Sequence, residues 1–162
     1  MILPEVEPPL FRQLLGRFAT GVTVLTTRNQ SGQPVGMTAS SLASVSLNPP
    51  LVSVCVDVSA DMHQALSASG VFVINILAAD QEELSRRFAD LSAEERFTGI
   101  GWRETPGGLI LLRGALAHLE CERYADFPLG DHTLFVGRVT GGEVGEGEPL
   151  IYYRGGYAAL RR

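Results

Sequence analysis

Hydrophobic positions along the chain change period repeatedly, and each change marks an element. Leu10, Phe11, Leu14, Leu15 and Phe18 recur at helical spacing. They predict a helix from about 9 to 18, with Pro9 in its first turn and Gly21 as its stop. The stretch GVTVLTT is β-branched and reads as a strand. Asn29-Gln30-Ser31-Gly32 is a turn signal, and residues 33–38 return as the second arm of a hairpin. Residues 39–42 suit a short helical turn, and 44–47 alternate again before Asn48-Pro49-Pro50.

The best strand pattern is 51–58. Val52, Val54, Val56 and Val58 fall on one face, which must be core; Leu51, Ser53, Cys55 and Asp57 fall on the other. Ser59 is placed to cap a helix over 60–69 that stops near Gly70. Residues 71–77 form another strand pattern. Asp80-Gln81-Glu82-Glu83 is a capping-box pattern that opens a helix carrying Leu84, Phe88 and Leu91, and Ser92-Ala93-Glu94-Glu95 opens a shorter one. From Trp102 onward every pattern is β: 102–104, 109–112, 113–123, 132–144, 150–153 and 157–160. Many short strands with turn punctuation predict a mainly β fold with a few helices, a barrel whose open ends the internal helices cover.

Composition narrows the class. A chain of 162 residues predicts one domain, here residues 10–162 after an irregular arm at 1–9 that holds three prolines and two glutamates. Its apolar share of 45% and charged share of 19% are those of a globular protein. A net charge of −5 argues against binding a nucleic-acid backbone, which needs a basic stripe. No apolar run reaches the roughly 18 residues of a membrane span, and the N-terminus lacks the basic start of a signal peptide. The two cysteines, Cys55 and Cys121, read as buried free thiols with no zinc spacing, so no metal is expected. The simplest compartment is a reducing cytoplasm.

Catalytic signatures are scarce: the chain has no GxSxG, HExxH, P-loop or GxGxxG pattern. If the protein is an enzyme, a bound organic cofactor supplies the reactivity. Residues 36–57 concentrate hydroxyls beside the best strand. Thr38, Ser40 and Ser41 read either as turn chemistry or as one edge of a pocket. Backbone amides from Ser59 to Met62 suit a phosphate at a helix start, with Asp61 working against an anion there. Gly130-Asp131-His132 is either a solvated turn or a loop that holds a substrate or moves a proton. Tyr152, Tyr153, Arg154 and Tyr157 are placed either to stack on a planar ring or to pack at an edge or subunit interface. Arg86 and Arg87 lie opposite the apolar face of their helix, as a solvated face or as one phosphate contact.

An ordered set of motifs then carries a resemblance. Gly16-Arg17-Phe18-Ala19-Thr20-Gly21-Val22-Thr23-Val24, Gly36-Met37-Thr38-Ala39-Ser40-Ser41 and Ser44-Val45-Ser46-Leu47-Asn48-Pro49-Pro50 resemble the flavin reductase-like family. So do Phe72-Val73-Ile74-Asn75, Arg87-Phe88-Ala89, Leu119-Glu120-Cys121, Gly130-Asp131-His132 and Pro149-Leu150-Ile151-Tyr152-Tyr153, in order over about 10–160. The resemblance implies an FMN-binding split β-barrel that acts as a homodimer. It implies an enzyme that reduces FMN or FAD with NADH or NADPH, as the reductase component of a two-component flavin-dependent monooxygenase. A flavin-dependent oxidase on the same barrel, or a non-enzymatic flavin- or haem-binding module, are the alternatives.

By position, Thr38, Ala39, Ser40 and Ser41 would line the flavin ring and ribityl chain, and Cys55, Val56 and Asp57 would lie along the ring. Ser59 and Met62 would sit near the phosphate, and Phe88 and Ala89 would close the far side. His132 would face the nicotinamide as the one catalytic candidate, with Tyr153 and Tyr157 beside it. Val58 and Met62 depart from the polar residues common at their positions, which leaves phosphate grip to backbone amides.

Overall fold

The computed structural model describes residues 3–161. Residues 3–7 are irregular and lead into helix α1, Pro8–Leu15. The helix stops three residues before the apolar spacing does. Gly16 closes it, its N–H bonded to Arg12 O at 2.9 Å, and glycine has little tendency to continue a helix. Strands β1 (Thr20–Gly21) and β2 (Thr23–Arg28) follow. The chain turns through 29–33, where Asn29 Oδ1 accepts the N–H groups of Ser31 and Gln33, each at 3.0 Å, and returns as β3 (Pro34–Ala39).

Residues 40–42 are irregular and not the helical turn that the sequence suggests. Ser41 Oγ accepts the Cys55 N–H at 2.9 Å, so this segment is tied to a neighbouring strand. Strands β4 (Ala43–Leu47) and β5 (Pro50–Asp57) pair as a hairpin. Val52, Val54 and Val56 are buried as the alternation requires. Val58 is not: it lies past the strand end and is 53% exposed. Helix α2 (Asp61–Ser69) ends at Gly70, whose φ of 72° makes the left-handed cap that glycine adopts freely.

Strand β6 (Val71–Ile76) precedes helices α3 (Glu82–Asp90) and α4 (Ala93–Arg96). The residues capping α2 and α3 are Ala60 and Gln81, not Ser59 and Asp80, and neither supplies a side-chain cap. Ser59 is held by Asp57, and the Gln81 side chain accepts the Ala78 N–H instead. Strands β7 (Trp102–Glu104) and β8 (Ile110–Leu112) form a small hairpin. β9 (Ala117–Leu129) and β10 (His132–Val144) form a long one. β9 starts later and runs further than its apolar pattern predicts, because cross-strand pairing carries the largely exposed segment 122–129 along β10. β11 (Ile151–Tyr153) and β12 (Gly156–Ala158) close the chain beside β1.

The main sheet has seven strands in the order β3-β2-β6-β9-β10-β5-β4, each pair antiparallel. It curls until β3 and β5 approach each other, and α2 lies inside the curl against β2, β3, β5 and β6. Leu25, Val54, Val56, Met62, Leu66, Phe72 and Phe135 meet there in one buried cluster. This is the split-barrel arrangement that the sequence resemblance implies.

A second cluster lies outside the curl. Val22, Val24, Leu77, Phe88, Leu112 and Leu150 are buried there, with Leu84, Phe97, Trp102 and Tyr157 against them. β2 is covered on both faces, which explains why all but its last residue are buried. One polar hub fixes β8 over this face. Asn75, inside an apolar strand, donates from Nδ2 to Val24 O (2.9 Å) and Thr26 Oγ1 (3.0 Å). Its Oδ1 accepts the Leu112 N–H at 2.8 Å, while Thr26 Oγ1 donates to Ile110 O at 2.6 Å. His118 Nε2 lies 2.7 Å from Leu112 O. Three neighbouring strands therefore satisfy the buried polar backbone of β8.

Several large apolar side chains remain uncovered. Helix α1 buries none of its residues, and Phe11, Leu14 and Phe18 are exposed together with Leu47 of β4 and Val144 of β10. Tyr124, Phe127 and Leu129, on the part of β9 that pairs only with β10, are exposed as well.

Candidate functional site

The mouth of the curl, where β3 and β5 approach each other above α2 and α3, gathers most of the residues singled out from the sequence. Thr38 lies one residue before the end of β3, with its Oγ1 donating to Ser85 O at 2.6 Å, which pins α3 to the strand. The hydroxyl expected at a pocket edge is thus committed to a helix carbonyl. Ala39 O accepts from Thr23 Oγ1 at 2.7 Å, so this strand end is held from both sides. Ser40 is exposed. Ser41 Oγ bridges the Cys55 backbone, which fixes segment 40–42 along β5.

On β5, Val56 is fully buried, so any contact it makes with a ligand is through its backbone. Asp57 follows at the strand end. Its Oδ1 accepts the Ser59 N–H at 2.8 Å and the Ser59 hydroxyl at 2.7 Å. These two bonds, the hydroxyl first, hold the Asp57 carboxyl below the usual carboxylate range, with a smaller contribution from the His132 charge. The antiparallel register places His132 directly opposite Asp57. His132 Nδ1 lies 2.7 Å from Asp131 Oδ1, so Nδ1–H donates to that carboxylate and Nε2 is left uncommitted among the described residues.

A cavity of about 450 Å³ opens between β3, the start of α2 and α3. Thr38, Ser59, Met62, Phe88 and Ala89, from three segments that lie far apart in the chain, line it together. Met62 and Phe88 are fully buried and form its apolar wall from beneath. The first amides of α2, at Asp61 and Met62, have no partner within the helix and carry the positive end of its dipole. Arg96 adds a guanidinium at the rim, anchored by Nε to Leu91 O and by Nη1 to Gly36 O, each at 2.9 Å. An apolar wall beside amides and a fixed cation suits a ligand with a flat apolar part and an anionic end. Asp61 lines the same space and opposes the anion, as its position in the sequence suggests.

Arg96, Ala60 and Met37 also line this cavity and were not singled out from the sequence. Nothing local marks Arg96: it ends a four-residue helix among glutamates, and only the fold brings it to β3. Arg86 and Arg87 are engaged elsewhere. Arg86 pairs with Glu82 at 2.7 Å and sits 4.8 Å from the Tyr157 ring centre; Arg87 holds the carbonyls of Glu95 and Thr98.

The two tyrosines lie in a different sheet from His132. Tyr157 reaches the site through α3, its hydroxyl 2.7 Å from Ser85 Oγ, on the residue whose carbonyl holds Thr38. Tyr153 sits on the β11–β12 hairpin and is 39% exposed. Among the described residues, no hydrogen bond or ring contact joins either tyrosine to His132. Of the two cysteines, Cys121 is buried and its thiol is pushed up to about 12 by burial; Cys55 is half-buried beside Ser41, and both are free.

Comparison with known proteins converges on one family. The sequence pattern described as Flavin reductase like domain matches residues 15–161. The chain is 44% identical over 159 residues to an NADH-dependent flavin reductase of a Rhodococcus species, covering 97% of this chain and 89% of that protein. It is 40% identical to HsaB of Rhodococcus jostii, the reductase subunit of a flavin-dependent monooxygenase, covering 96% and 79% of the two chains. Among solved structures, it resembles the NADH:FAD oxidoreductase SgcE6 of Streptomyces globisporus in complex with NAD and FAD fragments. The TM-score is 0.89 at 38% identity, with 98% of each chain covered.

Proposed function

This chain belongs to the flavin reductase-like family, and we propose that it holds flavin at the mouth of the curl and passes it, reduced, to a partner flavin-dependent monooxygenase. It is an NAD(P)H-dependent flavin oxidoreductase that uses FMN or FAD. The observation that carries the placement is the 450 Å³ cavity, where Thr38, Ser59, Met62, Phe88 and Ala89 converge beside a fixed guanidinium. Bound flavin supplies the redox chemistry by accepting a hydride from the nicotinamide; the chain binds and orients both partners.

Met62 and Phe88 offer the flavin an apolar wall. Backbone along 39–41 and 55–57 runs beside the ring, held rigid by the Ser41 and Thr23 hydrogen bonds. The α2 amides, Ser59 and Arg96 meet the phosphate. Asp57, kept ionised by Ser59, fixes the local turn rather than transferring a proton. His132, oriented by Asp131 and facing Asp57 in register, positions the nicotinamide, with Tyr157 and Tyr153 at the far rim. One such domain follows a short irregular arm, which ends where α1 begins at Pro8 and so is shorter than the arm of residues 1–9 expected from the sequence.

Steady-state oxidation of NADH and NADPH with FMN and with FAD tests the activity: turnover and bleaching of flavin absorbance are expected, and no turnover in any combination would refute it. His132→Ala is expected to raise the KM for NAD(P)H about tenfold while flavin affinity changes less than twofold. Equal losses in both would remove His132 from the nicotinamide side.

The uncovered apolar side chains of α1, β4 and the β9–β10 hairpin support a homodimer, since exposed apolar surface of this kind marks protein interfaces. Phe11→Glu combined with Leu14→Glu is expected to shift the chain from dimer to monomer by light scattering. A wild-type monomer at micromolar concentration would overturn that assignment. No helix among the described residues is long and apolar enough to cross a membrane, and the reducing cytoplasm suits two free thiols and a diffusing reduced flavin.

A further inference from the structure

Ser85 and Phe88 are the two buried residues of α3, and Ser85 is bonded on two sides. Its carbonyl accepts the Thr38 hydroxyl at 2.6 Å, and its own Oγ lies 2.7 Å from the Tyr157 hydroxyl. Thr38, on β3, belongs to the seven-stranded sheet, and Tyr157, on β12, to the three-stranded one. One helical residue therefore joins the two sheets. Tyr157 is itself firmly placed. Strand register sets it opposite Tyr152, whose ring meets it edge to face at 5.5 Å, and the Arg86 guanidinium lies 4.8 Å from its ring centre. Glu82 holds that guanidinium at 2.7 Å from one turn back on the same helix.

We propose that Tyr157 is a positioning residue for the flavin cavity: through Ser85 it sets where α3 holds the Thr38 hydroxyl, Phe88 and Ala89. This rests on the flavin site assigned above. Phe88 and Ala89 follow Ser85 by one turn of α3, so all three lie on one side of the helix and move with it. Packing of Leu84 and Phe88 in the second core cluster sets the depth of α3 but not its slide or rotation, because the hydrophobic effect is non-directional. Hydrogen bonds are directional. The Gln81 and Arg87 side chains tie the two ends of α3 to loop backbone. At its middle the tie is Ser85 to Tyr157.

The same tie sets the polarity of Thr38. With its proton on Ser85 O, Thr38 Oγ1 offers a ligand only lone pairs, so it accepts and does not donate. A donor such as the flavin imide N–H or a ribityl hydroxyl suits it. Without the Tyr157 hydroxyl, Ser85 Oγ is a buried polar atom with no partner among the described residues. A helical serine so placed turns its hydroxyl back to the carbonyl four residues earlier, here Gln81 O, and this bends the helix. A bend at that point displaces Ser85 O, on which the Thr38 hydroxyl rests, together with the Phe88 and Ala89 wall one turn on.

The test is titration of the full chain with FMN and with FAD, without nicotinamide, recording the visible spectrum of the bound flavin at saturation. Tyr157→Phe keeps the ring with its Arg86 and Tyr152 contacts and removes only the hydroxyl. It is expected to raise the flavin dissociation constant about tenfold, the scale of one lost hydrogen bond. The visible absorbance band of the bound flavin, which responds to hydrogen bonds at the ring, should shift as well. Ser85→Ala removes the other end of the bond and should give the same two changes. The double variant should then bind no worse than the weaker of the two single ones. Affinity within twofold of wild type in both single variants, or losses that multiply in the double variant, would overturn the proposal. So would weaker binding with an unaltered spectrum at saturation, which would make the bond a matter of stability alone. A raised KM for NADH in Tyr157→Phe with flavin affinity unchanged would overturn it too, and give the hydroxyl to the nicotinamide. Failure of the wild-type chain to bind either flavin would instead overturn the flavin site itself, and this proposal with it.

Discussion

Gly36→Ala is expected to lower stability by about 1–3 kcal/mol, the usual cost of overpacking a filled core, and to weaken flavin binding at least tenfold. Gly36 lies in β3, two residues before Thr38. A Cβ at this position would stand 2.3 Å from Phe88 Cε1, 2.7 Å from Cδ1 and 3.1 Å from Phe97 Cζ. Those distances are far inside carbon contact, so Phe88 must move. It is fully buried and at once forms the apolar wall of the cavity proposed for flavin and part of the second core cluster. Gly36 O also anchors Arg96, so displacing this strand moves the cation at the cavity rim.

Chemical denaturation and flavin titration together check the result. A second variant isolates the cause: adding Phe88→Leu removes the atoms in the way, so the double variant should lose less than the sum of the two single losses. Additive losses, or a Gly36→Ala chain with wild-type stability, would show that the strand and Phe88 are not coupled in this way.

Asn75→Leu is expected to cost about 2–6 kcal/mol, from two buried groups left unpaired at about 1–3 kcal/mol each. Leucine keeps the volume but leaves the Leu112 N–H without its acceptor and Val24 O without the Nδ2 donor. Thr26 Oγ1 loses a donor as well, although it still bonds Ile110 O. β8 would then be held mainly by Thr26 and His118. At about 2–4 °C per kcal/mol for a chain of this size, thermal unfolding should fall by roughly 4–24 °C. A midpoint within about 2 °C of wild type would mean that the hub contributes little. Because Leu112 shares a core cluster with Phe88, flavin affinity should fall with stability in this variant.

Both variants act on residues that the sequence marks unequally. Asn75 interrupts the apolar run Phe-Val-Ile-Asn-Ile, which the pattern reads only as a strand, and the structure places it in a buried network. Gly36 is legible only as the first residue of a motif, and the need for glycine there is not, because the atoms that forbid a side chain belong to a helix about fifty residues later. The same distinction runs through the candidate site. Thr38 was legible as a pocket hydroxyl, yet its hydroxyl is spent on Ser85 O. Ser59 was legible as a helix cap, yet it serves Asp57. Hydroxyls have several competing local partners, and which one wins depends on which backbone comes within 3 Å.

The sequence by itself determined the strand-rich class, the burial of Val52, Val54 and Val56, and, through an ordered set of motifs, the family. Those features rest on local periodicity and on residue order, which a linear chain carries in full. Only the tertiary structure decided that Arg96 belongs to the cavity rim and that His132 stands opposite Asp57. Each of these is a meeting of segments tens of residues apart, set by how far the seven-stranded sheet curls around α2. That curl is fixed by packing of the whole core at once, so no stretch of sequence states it alone.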